Sequence, residues 1–389
     1  MSPGPRVLVV GAGAFGGWTA LQLVRRGASV TLIDAWGPGH VRASSGGETR
    51  VIRATYGTHA IYTAMAARAL ELWQAHERRW QRGLLRRTGA LWMFGDDDGF
   101  GRASMRTLRE HGLRIDEWTP ADATRRYPQI HFEGVSRVLF EPDAGYLLAR
   151  RACEHVAERV LAEGGDYRVG AATSPVRIDG NPLPDVTLID GTRVAADQFV
   201  FACGPWLSAL FPDAVGNHIT VTKQDVYYFG TPAGDPRFDE PALPVWLDFG
   251  ERQIYGIPGN ANRGFKLADD HPGPVFDPTT GARDVSPDGL RTARDFLARR
   301  FPALSDAPLI GSEVCQYEST PEADFIIDRH PGAANVWIAG GGSGHGFKMG
   351  PAIGELLASL VLGEADPPPS FSLRRFGTPP ASGWKPKWS

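Results

Sequence analysis

Gly11, Gly13 and Gly16, spaced G-x-G-x-x-G, follow the apolar run Val7–Val10, and a carboxylate, Asp34, follows the next apolar run, Val30–Ile33. That order of residue types suits the holding of a dinucleotide. Gly11 permits a tight turn, Gly13 lets backbone N–H groups approach a pyrophosphate, and Gly16 lets a helix pack closely on a sheet. Asp34 stands where a carboxylate accepts hydrogen bonds from a ribose. The glycines alone are a weak signal; their place between two apolar runs, with the acid at the expected distance, makes it strong. A second glycine-rich turn, Gly340 to Gly346, follows the apolar run Val336–Ala339. Two such turns, one early and one late, favour FAD over NAD, because the flavin half of the longer molecule needs its own support. A helix entered after Gly346 would turn the positive end of its dipole toward the pyrimidine ring, where negative charge gathers on reduction.

These turns need strands and helices to hold them. Helical spacing is visible over Gly17–Arg26, Ile61–Arg79, Arg150–Ala162, Pro287–Arg300 and Pro351–Leu362. Thr88–Gly95, Gly134–Phe140 and Phe199–Trp206 read as strands, the last ending in a turn. Val169–Ile189 reads as short alternating strands with a hairpin turn at Asp190-Gly191. Val221–Gly230 and Gln253–Ala268 read as strands of a different, aromatic-rich sheet. Ala43–Arg53 reads as a stretch that is small and flexible, then abruptly basic, and the proline-rich tail after Asp366 as extended.

A length of 389 residues implies two domains, and 42% hydrophobic with 22% charged residues is ordinary globular composition. A net charge of −3 gives no sign of nucleic acid or an anionic membrane as partner. No apolar stretch is long enough to span a bilayer, and Met1–Arg6 runs straight into the first strand without room for a signal peptide. Three scattered cysteines, Cys153, Cys203 and Cys315, argue against a disulfide framework or a zinc site, so a cytoplasmic protein without metal is expected. Cys153 and Cys203 read as packing residues.

The segment Val314-Cys315-Gln316-Tyr317-Glu318-Ser319-Thr320-Pro321-Glu322-Ala323-Asp324-Phe325-Ile326-Ile327-Asp328 and the later Gly342-Ser343-Gly344-His345-Gly346-Phe347-Lys348 together resemble the flavin-attachment and active-site signature of the monomeric sarcosine oxidase family. This is a branch of the FAD-dependent, D-amino-acid-oxidase-like superfamily. Gly47-Glu48-Thr49-Arg50-Val51-Ile52-Arg53 is similar to its G-D-T-R-x-x-R, and Tyr255-Gly256-Ile257-Pro258 with Gly264-Phe265-Lys266 to its Y-G-x-P…K segment. The resemblance implies FAD bound covalently through Cys315, with Gly344, Gly346 and Lys348 beside it. It implies Lys266 where oxygen is activated, Arg50 near the ring, Tyr255 and Tyr317 near the substrate, and Arg53 with Lys348 gripping a substrate carboxylate. A planar fork and a point charge suit that anion. Taken alone, Arg50 and Arg53 are equally compatible with solvated charges, Lys348 with a helix-entry lysine, and His345 with support of its turn.

Two positions depart from the family pattern. Gly46 stands where the family often has a histidine. Asp270 stands where sarcosine oxidases have a histidine near the substrate, which is similar to the acidic residue of fructosyl amino acid oxidases and favours a cationic or hydroxyl-bearing substrate part; a structural salt bridge to Arg263 or Lys266 is the competing role. The expected fold is α/β, an FAD-binding Rossmann-like domain (residues 1–83, 147–219, 321–389) interleaved with a mixed antiparallel-sheet substrate domain (84–146, 220–320). The expected activity is oxidation of a secondary amine or N-substituted amino acid to an imine by a monomer, with oxygen reduced to peroxide. The rivals are a fructosyl-amino-acid-type oxidase, a flavin dehydrogenase with another acceptor, a flavin-keeping scaffold without turnover, and an NAD enzyme disfavoured by the second glycine turn.

Overall fold

The computed structural model describes residues 4–96, 99–250 and 252–377. Its first strand, Arg6–Val10, pairs in parallel with Ser29–Asp34 on one side and Gln198–Phe201 on the other. Val336–Gly340 continues the sheet in parallel beside Gln198–Phe201, Asp166–Val169 beside Ser29–Asp34, and Ile326–Arg329 closes one edge antiparallel. Parallel strands covered on both faces read as unbroken apolar runs, and these do. Val7, Val9, Val30, Leu32 and Val200 face a core shared with the helices Ala14–Arg25, Ala60–Trp80, Ala149–Ala162 and Gly350–Val361. Leu8, Val10, Ile33, Phe199 and Phe201 face the opposite core, built on Leu207, Phe211 and Ile219. The first and last of those helices touch closely: a Cβ on Gly354 would lie 2.7 Å from the Trp18 backbone.

The second large sheet has eight strands. In spatial order they are Leu309–Ser319, Thr220–Phe229, Phe265–Asp269, Gln253–Ile257, Val245–Phe249, Ala90–Phe94, Arg137–Glu141 and Asp116–Trp118, antiparallel except where Val245–Phe249 meets Ala90–Phe94. The helix Pro287–Arg300 packs its Ala293, Phe296 and Leu297 onto one face. Arg300 on that helix forms a buried ion pair with Asp248 of the sheet at 2.8 Å. A small sheet of Thr49–Ile52, Gly145–Leu148 and Leu85–Arg86 joins the two halves. Glu48 sits at that junction, 3.2 Å from Arg150 at the start of one helix and 3.2 Å from Arg263 in a turn of the eight-stranded sheet.

Three expectations are corrected here. The stretch from Thr49 is a strand, not a flexible loop, because Gly145–Leu148 offers it a complete antiparallel ladder. Gln253–Ala268 is two strands around a turn in which Ala261 and Asn262 take positive φ. The tail is not extended through residue 377: Pro369–Phe371 and Leu373–Gly377 form 3₁₀ turns, held by buried Phe371 and by Arg375 donating to the Phe325 and Asp324 carbonyls. Its remainder, 378–389, lies outside the described residues. Among the described residues no helix is long and apolar enough to cross a membrane.

Candidate active site

A cleft of about 360 Å³ is lined by residues of both large sheets. At one end lies the first glycine turn. Gly11 has φ +104°, and a Cβ there would sit 2.4 Å from the Ala202 carbonyl oxygen, so glycine is required twice over. Gly13 precedes the helix Ala14–Arg25 and offers no capping side chain; Ser45 Oγ instead accepts the Ala14 N–H at 3.1 Å. Gly16 lies off the cleft wall, where a Cβ would meet the Gly11 oxygen at 1.9 Å; its role is helix–sheet contact. Asp34 lines the cleft, and its carboxylate accepts from the backbone N–H groups of Ala12 (2.8 Å), Trp36 (3.0 Å) and Gly37 (2.8 Å). It therefore also fixes the turn itself.

Deeper in, Arg50 and Cys315 meet. Arg50 Nη2 donates to Cys315 Sγ at 3.1 Å and to the Ser44 carbonyl at 2.7 Å, while Nη1 donates to the Thr49 carbonyl at 2.8 Å. A Cβ on Gly47 would fall 2.4 Å from Arg50 Nη1, so glycine leaves the room this guanidinium occupies. Gly46 likewise admits no side chain, since a Cβ would lie 1.9 Å from the His40 oxygen. The backbone there has closed over the histidine position.

The far end carries the remaining polar groups. Arg53 is buried, lines the cleft and lies with its guanidinium 4.2 Å from the Tyr56 ring centroid. Lys348, also buried and lining, donates to Tyr56 Oη at 2.8 Å and to the His345 carbonyl at 2.7 Å. It belongs to a 3₁₀ turn, Phe347–Met349, that leads into the helix Gly350–Val361. Across the cleft Tyr317 donates its hydroxyl to Asp270 Oδ1 at 2.7 Å. Burial first, then the neighbouring Asp270 charge, holds the Tyr317 proton on well above the usual range, and burial does the same for Tyr255. Gly344 and Gly346 complete the wall.

Lys266 is the exception. It is 2% exposed and stands behind the wall rather than in it, donating to the Thr49 carbonyl at 3.0 Å and lying 5.9 Å from the Tyr255 ring centroid. Burial, followed by repulsion from Arg50, pulls its pKa down to about 7. The expected pairing of Asp270 with Arg263 or Lys266 gives way to other partners: Asp270 takes the Tyr317 hydroxyl, Arg263 takes Glu48 and Lys266 takes Thr49. His345 supports its turn, with Nε2 2.9 Å from the Ala323 carbonyl and its ring stacked on Phe325.

The FAD dependent oxidoreductase (DAO) family model matches residues 6–360. The chain belongs to this family of FAD-dependent oxidoreductases. It is 31% identical over 361 residues to a monomeric sarcosine oxidase of Bacillus sp. (strain B-0618), covering 92% of each chain. It is 27% identical over 373 residues to an N-methyl-L-tryptophan oxidase of Salmonella agona, covering 95% of this chain and 97% of that one. Its fold is similar to that of a modified fructosyl peptide oxidase from Aspergillus nidulans, with TM-score 0.84 and 20% identity over 99% of this chain and 95% of that one.

The residues present fit the FAD that this family uses. The helix opening at Ala14 has no side-chain cap from Gly13, the Gly11 turn admits nothing bulkier than hydrogen, and the cleft continues unbroken to Cys315 and the Gly342–Lys348 turn. Wall residues that the sequence reading passed over include Cys203, Glu318 and His40. Cys203, read as packing, lines the cleft and donates to the Val10 carbonyl at 3.4 Å. Glu318 accepts from Ser44 Oγ at 2.5 Å, with burial raising its pKa. The third, His40, is stacked on Trp36. For Glu318 a signal was available: it lies inside the same motif as Cys315 and Tyr317.

Proposed function

We propose that the protein oxidises the C–N bond of a secondary amine or N-substituted amino acid to an imine, with oxygen as the electron acceptor and hydrogen peroxide as product. The observation that carries this reading is the meeting of the dinucleotide turn, Cys315 and the cation pair Arg53 and Lys348 in one cleft. The sarcosine and N-methyl-L-tryptophan oxidases among its relatives support it.

Gly11, Gly13, Asp34, Gly344 and Gly346 would hold FAD, and Cys315 would attach it covalently, with Arg50 Nη2 donating to the sulfur. Once bound, FAD supplies the two-electron acceptor for hydride from the carbon beside nitrogen. Arg53 and Lys348 would take the substrate carboxylate, one as a planar fork and one as a point charge. That anchor sets which carbon lies over the acceptor, and positioning is most of the protein's task. Tyr255 and Tyr317 keep their protons and wall the substrate end. Lys266, with a pKa near 7, would hold or release a proton at Nζ while oxygen is reduced. We take the chain to act as a cytoplasmic monomer, with the domain division given by the sequence.

A second reading, a fructosyl-amino-acid-type oxidase, is favoured by Asp270. Its carboxylate lines the cleft and already accepts one hydroxyl, that of Tyr317, so a polyhydroxylated N-substituent would find an acceptor there. The test begins with acid precipitation of the purified yellow protein. Flavin retained in the pellet of the wild type and released from Cys315→Ala supports covalent attachment; flavin in the wild-type supernatant refutes it. A panel of N-methyl and N-fructosyl amino acids with peroxide detection then separates the two substrate readings. Flavin bleaching without peroxide would refute the oxidase assignment in favour of a dehydrogenase.

A further inference from the structure

The geometry points to Tyr56 as a positioning residue that sets the spacing of Arg53 and Lys348; the inference rests on the reading that these two cations hold a substrate carboxylate. Tyr56 is fully buried and stands behind the cleft wall. Its ring lies against one cation, with the Arg53 guanidinium carbon 4.2 Å from the centroid. Its hydroxyl oxygen accepts from the other, Lys348 Nζ, at 2.8 Å. Two charges of the same sign on one site repel, and each needs a fixed partner to stay in place. Tyr56 gives one a π face and the other a lone pair.

The hydroxyl is itself held. His345 Nε2 lies 2.9 Å from the Ala323 carbonyl, which only accepts, so the imidazole proton is on Nε2. Nδ1 is then left to accept from the Tyr56 hydroxyl, 3.5 Å away. The His345 ring is stacked on Phe325, which fixes the relay at its far end. Tyr56 is also packed against Tyr62, 5.5 Å between centroids. The phenol hydroxyl thus accepts from Lys348 on one side and faces His345 Nδ1 on the other. This gives His345 a purpose beyond its turn: through Tyr56 it helps to orient Lys348.

Tyr56→Phe keeps the ring against Arg53 and removes only the hydroxyl. On the holoenzyme, acetate binding read from the flavin absorbance should weaken about tenfold, the usual loss for one hydrogen bond to a charged group. Acetamide, of the same shape without the charge, should bind both proteins alike. At saturating amine, kcat should change by less than about twofold, a split that general destabilisation would not produce. In a Lys348→Met background, Tyr56→Phe should add nothing further. His345→Gln provides a second variant that leaves Tyr56 in place, and should weaken acetate binding in the same direction. Unchanged or tighter acetate binding in Tyr56→Phe, or the same loss with and without Lys348, would overturn the positioning role. If Arg53→Ala and Lys348→Met themselves leave acetate binding intact, the carboxylate reading fails first and takes this inference with it.

Discussion

Replacing Lys266 by methionine should make the protein more stable, by an amount that depends on pH. The native amine has a pKa of about 7 against 10.5 in the unfolded chain, because it is buried and faces Arg50. Between those values the unfolded chain binds the extra proton, so native stability rises with pH from about 7 to 10.5. At 1.36 kcal/mol for each factor of ten in proton affinity, charged Lys266 withholds about 5 kcal/mol at pH 6. Methionine fills the space of the stem without charge. The carbonyl it abandons, Thr49, keeps the Arg50 N–H at 2.8 Å, so the loss on that side is about 1 kcal/mol. Lys266→Met is therefore expected to be more stable than wild type by roughly 4 kcal/mol at pH 6, with the gap closing toward pH 10. Urea denaturation of both holoenzymes at intervals from pH 6 to 10 measures it, and taking the difference cancels the tyrosine titrations common to both. The same substitution should slow flavin reoxidation much more than flavin reduction in stopped flow. A stability difference that is flat with pH, or a variant less stable at pH 6, would refute the burial argument.

Three other outcomes are expected. Arg53→Ala should raise KM for a carboxylate-bearing amine at least about tenfold in steady-state kinetics while an amine lacking the carboxylate is little affected, since a charge-assisted contact is lost. His76, stacked 4.4 Å from Trp80, has its pKa lowered to about 4 by burial and then by Arg25 and Arg79. Its neutral form stabilises the fold above pH 6.5, and about 3 kcal/mol is lost as pH falls from 6.5 to about 4. His76→Leu should flatten the melting temperature over that window. Gly16→Ala places a Cβ 1.9 Å from the Gly11 backbone oxygen, so the helix must shift; a loss of about 1–3 kcal/mol in thermal melting and weaker FAD retention should follow.

Much of the parallel sheet was legible because its strands are buried on both faces and carry runs such as Val7–Val10 that need no partner to be recognised. The helix Pro287–Arg300 was readable to the residue, with Ser286 as its cap and proline at its first turn. What was not legible depended on distant partners. Thr49–Ile52 is a strand only because Gly145–Leu148 lies beside it. The helix Gly99–Glu110 went unnoticed, since its two glycines and three arginines mask the spacing of Phe100, Met105 and Leu108, whose partners are distant in sequence. At the site, motif spacing located Cys315, Arg53 and Lys348 along the chain but could not say which groups would touch. The side chain of Lys266 falls behind Arg50 and Tyr255 for reasons of packing between two sheets, which no local pattern records. Tyr56, placed three residues after Arg53, carried no signal until its two cationic neighbours were seen on either side of it.

The strand order of the six-stranded sheet governs how the protein is born. The strand Arg6–Val10 is made long before its neighbour Gln198–Phe201, which follows the small sheet and several helices. That neighbour in turn waits for Val336–Gly340. A nascent chain therefore carries open parallel edges through most of its synthesis, the condition under which chaperones are engaged and aggregation competes. The Gly342–Lys348 turn arrives later still, so, on the proposed cofactor role of that turn, truncations that remove it should yield colourless, sticky protein rather than a smaller flavoprotein.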